Sequence, residues 1–260
     1  MKLRYFSLLI LILLLISAKP RPVHIFMAGD STMAEKALSK SVLDSTSGIT
    51  YSEIFRERGW GMLLPEYLKK NVEVVNLAQN GRSTRTFIEQ GWWQKIITQV
   101  EPGDVVIIQF GHNDCAKDRP DKYTSPEDYR KNLERFVNEV REKKAYPVLC
   151  TSIARRKFDK ENKIVDVHGV YPVITREVAK EMNVPVIDMF ASTSKWLEKT
   201  GVVASAKYFH KVPNDGKSKL YPKGLDDNTH LNEAGARIVA GLFVSEVKKG
   251  KFKPLSRLLK

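Results

Sequence analysis

The hydrophobic pattern divides the chain into short apolar runs that alternate with longer amphipathic segments. The strongest run, Val105-Val106-Ile107-Ile108, is apolar without alternation, which indicates a strand buried on both faces. Four similar runs elsewhere predict further buried strands. The predicted strands cover residues 23–28, 72–77, 104–110, 146–150 and 184–187.

Between these runs, apolar residues recur at helical spacing, as at Leu133, Phe136 and Val137. Ser125, followed by Pro and two acidic residues, is typical of a helix start, and Asn232 can cap the last helix. The predicted helices cover residues 59–70, 84–100 with a break at Gly91, 125–140, 169–182, 190–200 and 233–248, and mostly loop is predicted at 32–58, 152–167 and 201–229.

Strands therefore alternate with helices five times along the chain. This order is typical of right-handed βαβ units, in which a parallel sheet carries helices on both faces. The sequence thus predicts a three-layer α/β fold. The polar motifs follow the strands directly, so we expect them to meet at the carboxyl edge of the sheet, where open parallel sheets bind ligands.

The first such motif is Gly29-Asp30-Ser31-Thr32, directly after the first predicted strand. A Gly at this point allows a sharp backbone exit, and a Ser there can present its hydroxyl at the mouth of the sheet. Gly-Asp-Ser clusters also make ordinary turns, so the motif alone does not distinguish a nucleophile from a turn. Ser31 is the candidate nucleophile because later segments supply the other groups that acyl transfer requires.

A base and a group that orients it come from the end of the chain. Of the five His residues, His230 has a carboxylate three residues before it, at Asp227, and a predicted helix directly after it. Asp227 can hydrogen-bond one ring nitrogen while the other faces Ser31. A surface His before a helix is the alternative interpretation. His24 is expected to be structural. His112 lies beside the predicted site, and its alternative role is to hold the loop by hydrogen bonding.

Donors for an oxyanion come from two further strand ends. Gly81 can offer its backbone N–H, and Asn113 can offer its side-chain amide. Together with the N–H of Ser31 these make a three-donor oxyanion hole. Asn113 as a simple loop residue is the alternative.

These segments resemble the SGNH, or GDSL-type, hydrolases, and most of all the rhamnogalacturonan acetylesterases. The matching blocks are GDSTMA at 29–34, NGRSTRTF at 80–87, QFGHND at 109–114 and DDNTHLN at 226–232, and GWG at 59–61 also fits. The resemblance implies a flavodoxin-like five-stranded sheet of order 2-1-3-4-5 and a Ser-His-Asp triad without a metal or other cofactor. By position it assigns Ser31, Asp227 and His230 to the triad, and Ser31, Gly81 and Asn113 to the oxyanion hole.

The family likeness also implies an acetylated, uronate-containing polysaccharide as the substrate, most of all pectic rhamnogalacturonan. Arg82 and Arg85 lie in the second block and can pair with uronate carboxylates, with loop bracing as the alternative. Trp92 can stack on a sugar ring, as can Trp60 and Trp93, although Trp is more often a core residue.

Composition and the N-terminus indicate one exported domain. The chain has 260 residues, 42% of them hydrophobic, and the expected folded domain covers 22–260. Lys2 and Arg4, an apolar run at 8–16 and Ser17-Ala18 are typical of a secretory signal, predicted at residues 1–18, with a retained anchor as the alternative. We therefore expect a secreted or periplasmic protein without stable membrane association after cleavage.

The formal net charge is +13, and the exported chain, with 41 basic and 30 acidic residues, would carry +11. Such a charge favours acidic partners. The basic residues are scattered and no nucleic-acid-binding motif is present, so an anionic polysaccharide or an anionic surface is expected and nucleic acid is not.

The two cysteines, Cys115 and Cys150, fit no metal motif. Both follow ends of strands that the implied 2-1-3-4-5 order makes neighbours, and export permits oxidation, so a disulfide between them is one hypothesis. The alternative is that Cys150 packs in the core as a small apolar residue.

Three alternative functions remain open on the sequence. The same fold can act on lipid or thioester substrates, which predicts an apolar acyl groove. A non-catalytic carbohydrate-binding protein can keep the fold, although no triad position is missing here. A metal-dependent hydrolase can use Asp226, Asp227 and His230, which sensitivity to EDTA would reveal.

Overall fold

A central parallel sheet organises the computed structural model, which describes residues 21–45 and 47–260. The signal segment predicted at 1–18 lies outside the described residues. The strands are β1 (Val23–Gly29), β2 (Ser39–Leu43), β3 (Thr50–Ile54), β4 (Glu57–Arg58), β5 (Val72–Asn76), β6 (Val105–Gln109), β7 (Tyr146–Cys150), β8 (Val186–Ile187), β9 (Phe209–Val212) and β10 (Leu225–Asn232).

The central sheet has the order β5-β1-β6-β7-β8, and all its pairs are parallel. In the chain order of these five strands this is 2-1-3-4-5, so the predicted flavodoxin-like α/β fold is confirmed. Strand β1 pairs with β5 on one side and with β6 on the other, and Ile25 lies opposite both Val74 and Val105. The carboxyl end of β1, where the GDST segment begins, thus lies between the carboxyl ends of β5 and β6.

The helices and 3₁₀ segments cover both faces of this sheet. The α-helices are α1 (Thr84–Glu89), α2 (Trp92–Ile97), α3 (Pro126–Glu142), α4 (Tyr171–Glu181), α5 (Met189–Thr200), α6 (Val202–Ser205), α7 (Glu233–Gly250) and α8 (Leu255–Leu258), and the 3₁₀ segments are Trp60–Tyr67 and Ala206–Tyr208.

Alternate residues of the central strands serve two separate hydrophobic cores. Ile25 and Ile107 point into a core shared with the Trp60–Tyr67 segment, α5 and α7. Phe26 and Ile108 point into the opposite core, which α1 to α4 cover. All five residues of β6 are buried, as its unbroken apolar run predicted.

Helix starts follow their predicted caps. The side chains of Ser125 and Asn232 accept hydrogen bonds from the amides of Asp128 and Gly235 at the starts of α3 and α7. The break predicted at Gly91 is present, because this residue adopts φ +76° between α1 and α2. The segment predicted as a helix over 59–70 is instead a 3₁₀ helix that ends at Tyr67, and Pro65 inside it lacks the N–H that an α-helix needs.

The loops predicted at 32–58 and 201–229 contain more regular structure than expected. Strands β2 and β3 form a hairpin within the first, and β4, β10 and β9 form a small antiparallel sheet. The hairpin was missed because its residues are mostly exposed on both faces, which leaves no alternating hydrophobic signal. Strand β10 ends at Asn232 and contains both Asp227 and His230.

The disulfide hypothesis is wrong, because Cys115 and Cys150 are both free thiols. Cys150 is buried in the core that contains Trp60, whereas Cys115 packs against the core on the opposite face of the sheet. The two thiols therefore lie on opposite faces of the sheet, where they cannot approach each other to form a disulfide. The alternative interpretation of Cys150 as a small apolar core residue is the one that the structure supports.

Among residues 21–45 and 47–260, no helix combines the length and the apolar character needed to cross a membrane.

Candidate active site

Ser31 lies in a tight turn directly after β1. The amides of Met33 and Ala34 donate to the carbonyl oxygen of Asp30, and the Asp30 carboxylate accepts from the amide and hydroxyl of Thr32. The turn therefore holds the half-buried Ser31 at the carboxyl edge of the sheet.

The GWG segment supports this turn from behind. A Cβ on Gly59 would lie 2.1 Å from the carbonyl oxygen of Ala34, so only glycine permits this close approach. The indole of Trp60 donates to Gln109 (3.1 Å), and the amide of Gln109 donates to the Thr32 hydroxyl (2.9 Å). Trp60 is therefore a buried core residue that orients the turn, and it is not available for sugar stacking.

His230 joins Ser31 to Asp227 through hydrogen bonds at its two ring nitrogens. Its Nε2 lies 2.8 Å from Ser31 Oγ, and its Nδ1 lies 2.7 Å from Asp227 Oδ2. The other carboxylate oxygen of Asp227 accepts from the amides of Thr229 and His230, at 2.7 and 2.9 Å. These backbone bonds fix the position of the carboxylate. The fixed carboxylate in turn orients the imidazole so that its Nε2 faces Ser31.

The electrostatics of this pair suit a general base. Burial opposes the ionised form of Asp227, but hydrogen bonds from His230 and the two amides outweigh burial and lower the pKa of Asp227 to about 2. Burial also opposes the charged form of His230, but the hydrogen bond to Asp227 and the negative charges of Glu57 and Asp227 raise its pKa above the usual value. Asp227 therefore stays ionised near neutral pH, and the raised pKa makes the imidazole of His230 a stronger base.

Gly81 and Asn113 line the same pocket as Ser31 and His230, a cavity of about 490 Å³. Gly81 adopts φ +73°, a conformation that favours glycine. The amide nitrogen of Asn113 donates to the carbonyl oxygen of Arg82 at 3.0 Å. An amide nitrogen carries two hydrogens, so this bond orients Asn113 and leaves one donor for a ligand.

The GDSL-like lipase/acylhydrolase family model matches residues 28–238. The chain belongs to this family. The match includes all four blocks that carry Ser31, Gly81, Asn113 and the Asp227–His230 pair.

Individual relatives of this GDSL-family chain are similar over most of its length. A rhamnogalacturonan acetylesterase of Bacillus subtilis is 36% identical over 230 residues, which cover 88% of this chain and 91% of the relative. A crystal structure of protein YxiM of B. subtilis matches with a TM-score of 0.70 and 25% identity, covering 89% of this chain and 57% of that one. An acetylxylan esterase of Geobacillus stearothermophilus has the same fold, with a TM-score of 0.60, 17% identity and coverage of 88% and 95%.

A buried polar layer behind the pocket connects the GDSL-family blocks. The carboxylate of Asp114 accepts from the amide and hydroxyl of Thr84, at 2.8 and 2.6 Å, which ties the GHND loop to the start of α1. Burial raises the pKa of Asp114 to about 6. His112 pairs through Nδ1 with His168 Nε2 at 2.9 Å, and burial together with the charges of His168 and Arg155 holds the pKa of His112 well below its usual value. The loop-holding interpretation of His112 agrees with these contacts.

The side chains predicted to bind substrate lie outside the pocket. Arg82 donates to Gln90 and to the carbonyl oxygen of Asn80. Arg85 donates to the carbonyl oxygens of Tyr123 and Pro120 and forms an ion pair with Glu89. Both guanidinium groups therefore brace loops. Trp92 packs against the hydrophobic core that α1 to α4 cover.

Charged residues that the sequence pattern does not predict also line the pocket. The ammonium group of Lys36 is almost completely buried, pairs with Glu57 at 2.5 Å and also contacts the side-chain oxygen of Asn80. Lys40 and Lys122 line the same cavity. Lys36 and Lys40 lie in a segment that has no hydrophobic periodicity and is outside the four family blocks, so no signal in the sequence placed them at the site.

Asp226, considered above as a metal ligand, forms an ion pair with Lys211 on β9. Its side chain is largely exposed, in contrast to that of Asp227. Within the described ranges, no three His, Cys, Asp or Glu side chains are grouped closely enough to hold a metal ion.

Proposed function

We propose that this protein is a serine esterase that removes O-acetyl groups from a polysaccharide, with pectic rhamnogalacturonan as the substrate. The observation that carries this proposal is the pair of bonds from His230, at 2.8 Å to Ser31 and 2.7 Å to Asp227. The 36% identity to a rhamnogalacturonan acetylesterase over nearly the full length of both chains supports the substrate class.

The first half of the reaction forms an acetyl-enzyme. Ser31 Oγ attacks the carbonyl carbon of the acetyl ester, and its proton passes to His230 Nε2. Asp227 accepts the Nδ1–H of the imidazole and stabilises the imidazolium ion. The negative charge on the former carbonyl oxygen is held by the amides of Ser31 and Gly81 and by the Asn113 side chain. The C–O bond to the sugar then breaks, and the sugar hydroxyl leaves with the proton from His230.

The second half releases acetate. His230, neutral again, takes a proton from water as the water oxygen attacks the acetyl carbonyl carbon. The same three donors hold the second oxyanion. When the bond to Ser31 Oγ breaks, His230 returns its proton to this oxygen and the enzyme is regenerated.

The lining of the pocket favours a small acyl group. Most residues around Ser31 are polar or charged, and among the described residues that line this cavity Phe55 is the only large apolar side chain. A long acyl chain gains its binding free energy from apolar surface, at about 25 cal/mol for each Å² buried. This pocket offers little apolar surface. An acetyl group has a single methyl group to bury, so it needs little apolar surface.

The expected export completes the proposal. A secretory signal at residues 1–18 would place the enzyme outside the cytoplasm, where polysaccharides of plant origin are met.

A panel of substrates tests the proposed function. Acetate release is measured from acetylated rhamnogalacturonan, acetylated xylan and 4-nitrophenyl esters of increasing chain length. We expect the highest kcat/KM on the pectic substrate and a steep fall beyond short acyl chains. A preference for xylan would support the acetylesterase assignment but change the proposed polymer. A preference for long-chain esters would overturn the acetylesterase assignment.

A further inference from the structure

We propose that Lys122, assisted by Lys40, forms an anion-binding subsite for a uronate carboxylate on the acetylated sugar or on the unit next to it. The inference rests on the proposed function, which it deepens by naming the chemical group that the pocket recognises beyond the ester.

Lys122 is placed at the reaction centre by the loop between β6 and α3. A hydrogen bond from its own amide to the carbonyl oxygen of Arg119 fixes the backbone there. Its Nζ lies 3.2 Å from the position that a Cβ on Gly81 would occupy. The ammonium group therefore lies directly beside one of the proposed oxyanion donors and lines the pocket of Ser31 and His230.

Neither lysine of the proposed subsite is neutralised by the protein. Within the described part of the chain, the ammonium group of Lys122 makes no hydrogen bond and no ion pair. Lys40 lies over the ring of Phe55, with Nζ 3.4 Å from the ring centroid, and has no carboxylate partner within the same ranges. Lys36 differs from both, because Glu57 neutralises it at 2.5 Å. Glu35 also lines the cavity, so with Lys36 and Glu57 neutralising each other the lining carries two lysines against one carboxylate. A substrate anion would therefore meet a net positive charge.

The arginines that are closest in sequence to Gly81 do not compete for this role. Two guanidinium nitrogens of Arg82 and all three of Arg85 donate to carbonyl, amide or carboxylate oxygens of the protein. Using either for a ligand would break existing hydrogen bonds, whereas Lys122 can bind an anion without such a loss.

The chemistry of the pocket favours a carboxylate on a sugar ring. A cavity of about 490 Å³ is larger than an acetyl group requires, so further substrate atoms fit beside the ester. An ammonium group is a compact point charge on a flexible stem, which suits a carboxylate whose distance from the ester varies along a polymer. In an acetylated pectic chain, a uronate carboxylate lies on the acetylated sugar or on one of its neighbours.

The test compares acidic and neutral forms of the same substrate. Lys122→Met removes the charge and keeps most of the side-chain volume, and Lys122→Arg keeps the charge. Lys117→Met is the matched control, because Lys117 is an exposed lysine of the same loop outside the pocket. Acetate release is measured from an acetylated uronate oligosaccharide and from the same oligosaccharide with its carboxyl groups methyl-esterified, and 4-nitrophenyl acetate reports on the chemistry itself.

We expect Lys122→Met to raise KM for the acidic oligosaccharide about fivefold more than for the two neutral substrates, which corresponds to about 1 kcal/mol. Lys122→Arg should restore most of the loss, and Lys117→Met should leave all three substrates unaffected. Equal losses on all substrates, or no loss on any, would overturn the inference.

Inhibition separates this inference from the proposed function. Unacetylated oligogalacturonate should inhibit hydrolysis of 4-nitrophenyl acetate by the wild type. The Ki should be about fivefold higher for Lys122→Met. Sodium sulfate at the same ionic strength should inhibit little. This result would support the subsite even if the wild type released no acetate from pectic polymers. A lack of acetate release would overturn the polymer assignment alone. An identical Ki in wild type and variant would overturn the subsite while leaving the esterase assignment intact.

Discussion

His230 Nε2 and Ser31 Oγ lie 2.8 Å apart although 199 residues separate them in the sequence. The parallel sheet places Ser31 at the end of β1, and the small antiparallel sheet brings β10 with His230 to the same edge. This contact therefore depends on both sheets.

The first prediction concerns the nucleophile. Ser31→Ala should lower kcat by about 10⁴-fold or more, because the atom that attacks the ester is removed. The change is small and lies in a turn held by backbone bonds to Asp30, so the melting temperature should stay close to that of the wild type. Hydrolysis of 4-nitrophenyl acetate and thermal unfolding are measured on the same preparation, and near-normal turnover in a folded variant would refute the role of Ser31.

The second prediction concerns an oxyanion donor. Asn113→Ala should lower kcat by about 10²–10³-fold, or about 3–4 kcal/mol, with a smaller change in KM, because the amide binds the transition state more strongly than the ester. Steady-state kinetics on 4-nitrophenyl acetate measure both constants. If KM alone changes, Asn113 binds the substrate and does not stabilise the oxyanion.

Much of the fold could be predicted from the sequence because its central strands carry a local signal. The run at 105–108 is apolar on both faces, and its burial on both faces follows from that pattern alone. The hairpin β2–β3 carries no such signal, because most of its residues are exposed. The pairing of β10 with β4 and β9 joins residues that are distant in the sequence, and no local pattern encodes it.

The residues of the pocket also differ in how far the sequence predicts their positions. Ser31, Gly81, Asn113 and His230 lie in short blocks next to strand or helix ends, so their neighbourhood could be inferred from the sequence. Lys122 lies eight residues after the GHND block, and only the path of its loop brings it to Gly81. The hypothesis that Arg82 binds substrate used nearness in sequence, whereas the structure directs its guanidinium to Gln90.

The third prediction concerns the cysteines. Unfolded, unreduced protein should contain two titratable thiols, because both cysteines are free. In the native protein, Cys150 should be unreactive, since it is fully buried and burial raises the pKa of its thiol far above the usual range. Titration with Ellman's reagent with and without denaturant measures both states. The absence of free thiols in the unfolded protein would show that a disulfide forms.

The fourth prediction concerns salt. If basic side chains attract an acidic polymer, kcat/KM on a uronate polymer should fall as the ionic strength rises through about 0.15 M, where the Debye length is near 8 Å. Hydrolysis of neutral 4-nitrophenyl acetate should change little over the same range. The dependence of kcat/KM on salt is measured for both substrates in parallel. The same dependence for both would contradict attraction of the polymer by basic side chains.

The fifth prediction concerns the pH dependence of the base. His230 accepts a proton only when it is neutral, so kcat/KM should be full above its raised pKa and should fall as the pH drops through that value. The negative charge of Glu57 contributes to raising this pKa. Glu57→Gln should therefore move the acidic limb of the profile to lower pH, and the positive charge of Lys36, no longer paired, should act in the same direction.

Glu35→Gln is the matched control for this shift. Glu35 lines the same pocket, but its charge is not among the main influences on the pKa of His230, so its variant should move the limb less. The pH dependence of kcat/KM on 4-nitrophenyl acetate is compared for the wild type and both variants. A limb that moves to higher pH in Glu57→Gln, or equally in both variants, would contradict a specific electrostatic effect of Glu57. A shift confined to Glu57→Gln would show that a carboxylate on β4 tunes a base on β10, through the strand pairing that the sequence does not reveal.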